Sequence, residues 1–363
     1  MKAHKVPATY YDGWEITEFK NNFYIFYKNS VENEGVRVKY RGNRHISQEH
    51  SYFMEEDFYY IDIFRTPSLI YKVETEIECF LKNYKNHIVC PIEIDGSIIK
   101  NKDVLDYESF LYCFDKIDLW EITNLNGNVI PVDCFKEELN IYIFENVGKI
   151  IEKNYFAYYL EAKWDSTRKE MINSVGNDGD DYIIPDKNFF LEFFVVQYLR
   201  LDSVMKKEIT PILNIFKDCF SFMGFEKDEL KIIEENGVLS YKPYFYGVLL
   251  DAARGNKKVV ANYINNINQS YIIDLFCAPT GIQFLTSTSP CVIVQEINGF
   301  KAEMYFPISS SFCIRFLSHA LAGNRNGKVF KVDEQTVKQV NNKILEETCN
   351  IVISQSKRII NFI

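Results

Sequence analysis

The chain has 363 residues, of which 47% are hydrophobic and 25% are charged, and its formal net charge is −9. This composition is typical of a globular protein with a substantial core, and it excludes a disordered, collagenous or low-complexity chain. Because 41 basic residues stand against 50 acidic ones, the overall charge does not favour broad attraction to a nucleic-acid backbone, although a local basic pocket is compatible with it.

The first 130 residues predict a mixed α/β region. A helix is predicted to begin after Thr66, which suits an N-cap, because Pro67 fits the first helical position and the following apolar residues keep helical spacing. Aromatic, β-branched and turn-forming residues predict the other elements, which are strands over 23–27 and 36–40, hairpin turns at Asp95-Gly96 and Asn126-Gly127, and a short helix over 104–114.

Residues 131–268 predict a largely helical region. Apolar residues at near-helical spacing predict one buried stripe, formed by Phe135, Leu139, Ile143, Val147, Ile150 and Ile151. The polar run 176–181 predicts a loop, and a second helix is predicted to start near Asp186. Pro211 is expected to break or kink that second helix.

Residues 269–363 predict a β-rich region that ends in a helix and a strand. Strand-length apolar runs occur at 271–277, 282–286, 291–297, 300–306 and 312–316, with a hairpin signal at Asn298-Gly299. A last helix is predicted over 333–353 and a terminal strand over 358–363. Strands at both ends around a helical middle predict an α+β fold with the N- and C-terminal strands in one mixed or antiparallel sheet. The whole chain, 1–363, is therefore predicted to be a single unit with three subregions.

The sequence also predicts a cytoplasmic protein without a membrane partner. Residues 1–7 contain no apolar stretch typical of a signal peptide, and no run reaches the roughly 18 apolar residues that span a bilayer. Nine Cys are scattered without a Cys-x-x-Cys pair, so we interpret them as reduced, buried thiols.

The motifs of common enzyme and metal sites do not occur. There is no Gly-rich phosphate loop, Gly-x-Ser-x-Gly elbow, His-Glu-x-x-His helix or kinase signature. His45, Glu49 and His50 match no zinc or iron spacing, and the acidic run 178–181 lacks the downstream Glu of a calcium loop. No metal ligand is predicted from these patterns.

Short motifs in a fixed order run along nearly the whole chain. They are His4-Lys5-Val6-Pro7-Ala8-Thr9-Tyr10 with Trp14, Phe58-Tyr59, Glu76–Glu78, Gln197-Tyr198-Leu199-Arg200, Phe284–Pro290, Phe306–Ser309 and Asn341. Their order and spacing resemble a bacterial and fungal family catalogued as domain of unknown function 4238. Two positions depart from its pattern: Thr288 replaces an Asp, and Leu201-Asp202 replaces a Thr-Pro. The missing Asp further disfavours metal-dependent chemistry.

The matched positions supply the candidate site. The predicted catalytic residues are His4, as acid or base, and Arg200, whose planar guanidinium suits a phosphate group. Residues with hydroxyl or amide groups are predicted to bind the substrate, and these are Tyr10, Gln197, Thr286, Ser287 and Asn341. Most of the 15% aromatic content is interpreted as packing, with Tyr10, Trp14 and Tyr59 as the aromatic residues that accompany the motifs.

A structural role is the alternative for the same residues. His4 then fixes the N-terminal strand, Arg200 pairs with a buried carboxylate, and Thr286 and Ser287 cap the turn before Pro290. Both interpretations stay open at this stage.

Two functions are compatible with the sequence. The first is a metal-independent phosphodiester- or nucleotide-directed hydrolase, a nuclease-like or nucleotide-processing effector that uses His4 and Arg200 and serves in defence. The second is a non-catalytic sensor that binds a ligand or a partner protein. The predicted ligand in either case is a phosphate-bearing small molecule or a nucleic acid, and the sequence leaves the cofactor and the oligomeric state open.

Overall fold

A computed structural model describes residues 2–4, 8–39, 54–56, 62–94, 98–176, 181–199, 241–288, 290–297, 300–323, 325–347 and 351–363. The α-helices in these ranges are α1 Glu74–Asn83, α2 Tyr107–Cys113, α3 Val132–Lys149, α4 Ala162–Asn173, α5 Lys187–Leu199, α6 Tyr241–Ala253, α7 Lys258–Ser270, α8 His319–Ala322 and α9 Glu334–Glu347. A π-helix, Ile150–Glu161, joins α3 to α4.

The strands alternate with the helices at both ends of the chain, so the predicted α+β fold is confirmed. They are β1 Lys2–His4, β2 Asn22–Tyr27, β3 Val36–Lys39, β4 Met54–Glu56, β5 His87–Ile94, β6 Ile98–Asp103, β7 Glu121–Thr123, β8 Val129–Ile130, β9 Tyr271–Cys277, β10 Thr286–Ser287, β11 Val292–Ile297, β12 Phe300–Pro307, β13 Phe312–Ser318, β14 Val329–Lys331 and β15 Ile351–Ser354.

The chain divides into two compact units. Unit 1 contains Asp57–Lys153 and Lys206–Gly255, and unit 2 contains Lys2–Glu56, Asn154–Met205 and Asn256–Ile363. Neither unit is one continuous segment. The predicted single unit with three consecutive subregions stays a prediction.

Unit 1 contains an antiparallel sheet in the order β6-β5-β7-β8. The turn between β7 and β8 confirms the predicted Asn126-Gly127 hairpin, because Gly127 has a φ of 76° and the Asn124 side chain accepts hydrogen bonds from the amides of Asn126 and Asn128. Asp106 caps α2 by accepting from the Ser109 amide at 2.7 Å. The buried rings of this unit include Phe80, Phe110, Trp120 and Phe135.

The larger sheet of unit 2 has the order β11-β12-β13-β9-β14. Strands β9 and β13 pair antiparallel over their full lengths, whereas β14 runs parallel to β9 and begins opposite Leu275. Val337, Val340 and Ile344 of α9 pack in one core cluster with Phe276 and other buried side chains of this sheet. The helical spacing of these three residues explains why α9 is buried along a single face.

The smaller sheet of unit 2 joins the two ends of the chain. Its order is β10-β15-β2-β3, and β15 pairs antiparallel with β2, so the N- and C-terminal strands share a sheet as predicted. The predicted terminal strand over 358–363 is wrong, because residues Ile360–Phe362 form a 3-10 turn whose last carbonyl accepts a hydrogen bond from Asn341. The predicted helix over 333–353 is too long, because α9 ends at Glu347 and residues Ile351–Ser354 form the buried strand β15.

Two further predictions are wrong. The helix predicted after Thr66 starts as a 3-10 turn, Pro67–Lys72, and Thr66 does not cap it because its hydroxyl donates to the Asp62 carbonyl at 2.7 Å. The strand predicted over 282–286 is reduced to β10, because the Asn341 side chain bonds the backbone of this segment. The described Cys are free thiols as predicted, but Cys79 and Cys134 are exposed rather than buried.

Helix α5 packs antiparallel to the helical run that leads into α4. Tyr155 donates to Glu192 of α5 at 2.8 Å. Lys163, further along the run, pairs with Asp186, which lies just before the start of α5, at 2.5 Å. The two helical segments also meet at the rings of Trp164 and Phe193, which stack with centroids 3.9 Å apart. In the described ranges, no helix is long and apolar enough to cross a membrane.

Candidate functional site

Tyr10 and Thr286, both predicted to bind substrate, meet in the core of unit 2. Each is fully buried, and their hydroxyl oxygens lie 2.9 Å apart. Burial raises the pKa of the Tyr10 hydroxyl well above its ordinary value, so this group stays protonated and donates to the Pro307 carbonyl. In this structure the two hydroxyls bond to the protein itself, and their role in substrate binding stays a prediction.

We expect Tyr10→Phe to lower the free energy of unfolding by about 1–3 kcal/mol, because it removes a hydrogen-bond partner from Thr286 and Pro307 in a dry site. Urea unfolding monitored by circular dichroism measures this loss. The control is Tyr158→Phe, since Tyr158 is 68% exposed and should tolerate the change. Equal stability of both variants would contradict a structural role for the Tyr10 hydroxyl.

Asn341 and Ser287 are also buried near β10. The Asn341 oxygen accepts from the Leu285 amide at 2.8 Å, and its nitrogen donates to the carbonyls of Gln283 and Phe362 at 2.9 and 2.7 Å. Asn341 therefore ties α9 to β10 and to the last residues of the chain. Ser287 is fully buried and pairs with Val352 of β15.

Gln197 differs from these residues because neither end of its side-chain amide has a hydrogen-bond partner among the described residues. The residue is 1% exposed and lies in the last turn of α5. A buried amide without partners costs free energy, so this position marks a site where a further group is expected. Arg200, which follows α5, lies outside the described residues.

Several predicted positions have no described side chain. His4 lies in β1, where only its backbone is described, so its distance from the other candidates stays open. Tyr59, the group of His45, Glu49 and His50, Pro211, most of the acidic run 178–181 and the turns Asp95-Gly96 and Asn298-Gly299 lie outside the described residues. In the described ranges, no three His, Cys, Asp or Glu side chains are grouped as a metal site.

A cavity of about 440 Å³, which we call the edge cavity, lies along the first half of β9 in unit 2. It lies where β9 pairs with no described strand on one side, because β14 begins only opposite Leu275. Apolar and aromatic side chains form much of its wall, namely Tyr182, Ile183, Ile184, Tyr271, Ile272 and Ile273. The polar side chains of the wall are Lys187, Asn268, His319, Arg325 and Asn326, and none of the described lining residues is a carboxylate.

Asp274, a residue of β9, holds one of the side chains of the cavity wall in place. It is completely buried and accepts hydrogen bonds from Arg315 and Arg325 and from the Lys328 amide, with the closest contacts at 2.7 Å. Burial by itself raises the pKa of the Asp274 carboxyl, but the hydrogen bonds from Arg325 and Arg315 outweigh this effect and hold the pKa below its ordinary value. Asp274 is therefore ionised at neutral pH and fixes Arg325 in the cavity wall.

One edge of the Arg325 guanidinium forms no hydrogen bond with the described residues. Its Nη1 donates to Asp274 Oδ1 and to the Asn326 carbonyl, and its Nη2 donates to Asp274 Oδ2, both contacts with Asp274 being 2.7 Å. A guanidinium has five N–H bonds, so the Nε–H and the second Nη2–H have no acceptor among the described residues. These two bonds point in parallel, which is the geometry that binds two oxygens of a phosphate or carboxylate.

Among the described residues, the charged side chains that line the edge cavity and the ion pairs that hold Arg325 leave an excess of one positive charge. Asp274 and Glu303 balance Arg315 and Arg325, since Glu303 lies 3.5 Å from Arg315. Lys187 forms no ion pair with any other described residue. The neighbouring Asp186 is paired with Lys163, so it does not neutralise Lys187.

Two polar atoms at the other end of the cavity have no hydrogen-bond partner among the described residues. These are Oδ1 of Asn268, in the last turn of α7, and Nδ1 of His319, directly after β13. Ser318 pairs with Tyr271, which places His319 at the start of β9, whereas Arg325 bonds Asp274 three residues further along. At about 3.3 Å per strand residue, the backbone positions of Tyr271 and Asp274 are roughly 10 Å apart along β9.

Two sequence features indicate this cavity, although neither belongs to the motifs that supplied the predicted site. Asp274 is the single charged residue of the apolar strand Tyr271–Cys277. The polar run 323–328, Gly-Asn-Arg-Asn-Gly-Lys, supplies Arg325 and the Gly327 at which any side chain would collide with the Ile273 carbonyl. Neither signal is specific alone, because the pairing of Asp274 with Arg325 depends on the tertiary fold.

The fold and the site define an α+β protein of two compact units, one of which has a cation-bearing cavity at an open sheet edge. The chain belongs to the family described as protein of unknown function, DUF4238, whose model matches residues 78–358. This match confirms the resemblance predicted from the motifs, although the motifs before Glu78 precede the matched range. No curated protein and no solved structure shows significant similarity to the chain.

Proposed function

We propose that this protein binds a small molecule that carries a phosphate group, and that the edge cavity is the binding site. The observation that carries the proposal is the free edge of the Arg325 guanidinium, held in the cavity wall by the buried Asp274. Phosphate recognition commonly uses such a bidentate edge together with a second cation. Lys187 supplies that second cation in the same wall.

The size and charge of the site favour a small molecule over nucleic acid. A volume of about 440 Å³ falls in the range of roughly 300–1,000 Å³ that is usual for small-molecule sites. A nucleic-acid surface needs several cations arranged along a backbone, and the chain carries a net charge of −9. The excess of one positive charge in the edge cavity suits a single phosphate group.

Lys187→Ala is expected to weaken binding about tenfold, equivalent to about 1.4 kcal/mol, because it removes the unpaired cation of the site. Isothermal titration calorimetry with inorganic phosphate, ribose 5-phosphate and nucleoside 5′-monophosphates measures the effect. Lys20→Ala is the matched control, since Lys20 is an exposed lysine of unit 2 outside the cavity. The proposal fails if none of these compounds binds the wild type saturably, or if both variants bind with the same affinity.

The second candidate is the metal-independent phosphodiester- or nucleotide-directed hydrolase, with His4 as acid or base and Arg200 as electrostatic stabiliser. The buried amide of Gln197, which has no hydrogen-bond partner among the described residues, favours it, because Gln197 lies three residues before Arg200 on the chain. This candidate requires turnover of nucleotides or phosphodiesters in the presence of a metal chelator. His4→Ala should abolish that turnover without changing the melting temperature, and undiminished turnover in this variant would contradict it.

A further inference from the structure

We infer that the ligand of the edge cavity is a phosphate monoester whose organic group is apolar, such as an aryl phosphate, rather than a sugar phosphate. This inference rests on the proposed function and adds the class of the organic group. The observation that carries it is the position of the Tyr182 ring, which is held at the same part of β9 as the free edge of Arg325.

Two consecutive residues of β9 hold Tyr182 and Arg325 near each other. The Tyr182 hydroxyl donates to the Ile273 carbonyl at 2.8 Å, and Arg325 binds the carboxylate of the next residue, Asp274, at 2.7 Å. Burial and the negative charge of Asp274 raise the pKa of the Tyr182 hydroxyl, so this group stays protonated and keeps its hydrogen bond. An aromatic ring therefore lies close to the place where Arg325 would hold a phosphate.

The polar groups beside the Tyr182 ring already bond within the protein. The Tyr182 hydroxyl and the Ile273 carbonyl bond to each other, and Gly327 packs so closely on the same carbonyl that a Cβ there would lie 1.9 Å from its oxygen. A sugar hydroxyl placed at this point would leave water without gaining a partner from these groups, which costs free energy. An apolar group placed there has no such cost.

The chain between Tyr182 and the second cation, Lys187, adds further apolar surface to this wall. It contributes Ile183 and Ile184, and Ile183 is 65% exposed. An apolar group attached to the bound phosphate would cover part of this surface and remove it from water, which is favourable. The cavity volume of about 440 Å³ leaves room for such a group beside a single phosphate.

Titration calorimetry with phenyl phosphate, ribose 5-phosphate and inorganic phosphate tests the inference. The wild type is expected to bind phenyl phosphate about tenfold or more tightly than either other compound. Tyr182→Ala should lower the affinity for phenyl phosphate about tenfold while inorganic phosphate binds as it does to the wild type. Tyr158→Ala is the matched control, since Tyr158 is a 68% exposed tyrosine of the same unit outside the cavity, and it should keep the preference.

Ile183→Ser is a second variant, and it keeps the test decisive if Tyr182→Ala does not fold. Because Ile183 is 65% exposed, this substitution should leave the melting temperature close to that of the wild type. It should weaken the binding of phenyl phosphate about threefold and leave the binding of inorganic phosphate unchanged.

The outcomes separate this inference from the proposed function. If ribose 5-phosphate binds as tightly as phenyl phosphate, or if the folded variants keep the full affinity for phenyl phosphate, the assignment of the apolar group is wrong while phosphate binding stands. If no phosphate compound binds saturably, the proposed function fails and the inference fails with it. Phenol should bind at least tenfold more weakly than phenyl phosphate, and equal affinities would contradict the assignment of the phosphate to Arg325.

Discussion

Asp274→Asn is expected to lower the free energy of unfolding by about 3 kcal/mol. The substitution keeps the volume of the side chain but removes the counter-charge that two arginines share in the sheet. Breaking a buried ion pair on one side costs about 3–5 kcal/mol, because the remaining charge is left unpaired. We expect the lower end of this range, since the side chains of Arg315 and Arg325 are still 18% and 27% exposed and so keep some contact with water.

Glu34→Gln is the matched control for Asp274→Asn. Glu34 also pairs with two cations, Lys357 and Arg358, at 2.5 and 2.9 Å, but its side chain is 45% exposed. Solvent-exposed pairs of this kind contribute little, so the control variant should unfold close to the wild type. Urea unfolding of both variants measures the difference. Equal losses in the free energy of unfolding would contradict the claim that burial makes the ion pairs of Asp274 contribute more than those of Glu34.

The contribution of Asp274 to stability can also be measured through the pH dependence of the free energy of unfolding. The folded state holds the pKa of Asp274 below its ordinary value. Its contribution is therefore fully present above the unfolded pKa, near 3.9, and is lost as the pH falls through the folded pKa. The stability difference between the wild type and Asp274→Asn should consequently be constant near neutral pH and shrink below about pH 4.

Trp164→Ala is expected to lower the free energy of unfolding by about 3–5 kcal/mol, the usual cost of removing a buried aromatic side chain. Trp164 is completely buried and lies against Phe193, Tyr10 and Phe306, whose ring centroids are 3.9, 6.3 and 6.2 Å away. Its indole nitrogen has no described hydrogen-bond partner, so the loss is one of packing.

Two companion variants test that explanation. Trp164→Phe should lose clearly less stability than Trp164→Ala, because a ring can still stack on Phe193. Tyr158→Ala removes an aromatic residue that is 68% exposed, six positions earlier in the same helical run, and should have little effect. A loss in Trp164→Phe as large as that in Trp164→Ala would argue against stacking as the main contribution.

The elements that the sequence predicted correctly are those defined by neighbouring residues. The hairpin β7–β8 forms at the predicted Asn126-Gly127 turn, and the strand pairs β5–β6 and β11–β12 are antiparallel, since turn chemistry and strand propensity are local properties. The buried stripe of α3 through Phe135, Leu139, Ile143 and Val147 follows from helical spacing in the same way.

The errors occur where a distant residue decides the local structure. Asn341 bonds the backbone around Leu285, 56 positions away in the sequence, and so shortens the strand predicted there. Residues 351–354 form β15 because β2, at the other end of the chain, provides a pairing partner. Propensity over a short window contains no information on either contact.

The candidate site was only partly accessible to sequence reasoning for the same reason. The family-like motifs led to Tyr10, Thr286 and Asn341, whose polar groups bond to the protein in this structure. The edge cavity depends on Asp274 and Arg325, which are 51 positions apart and become a pair only when the loop after α8 passes the edge of β9. A charged residue inside an apolar strand is the sequence feature that pointed to it most directly.

A crystal structure of the protein with ribose 5-phosphate tests the central claim most directly. We expect a phosphate within hydrogen-bond distance of Nε and Nη2 of Arg325 and near Lys187. A phosphate bound elsewhere, for example between His4 and Arg200, with an empty edge cavity would contradict it and would support the hydrolase candidate instead.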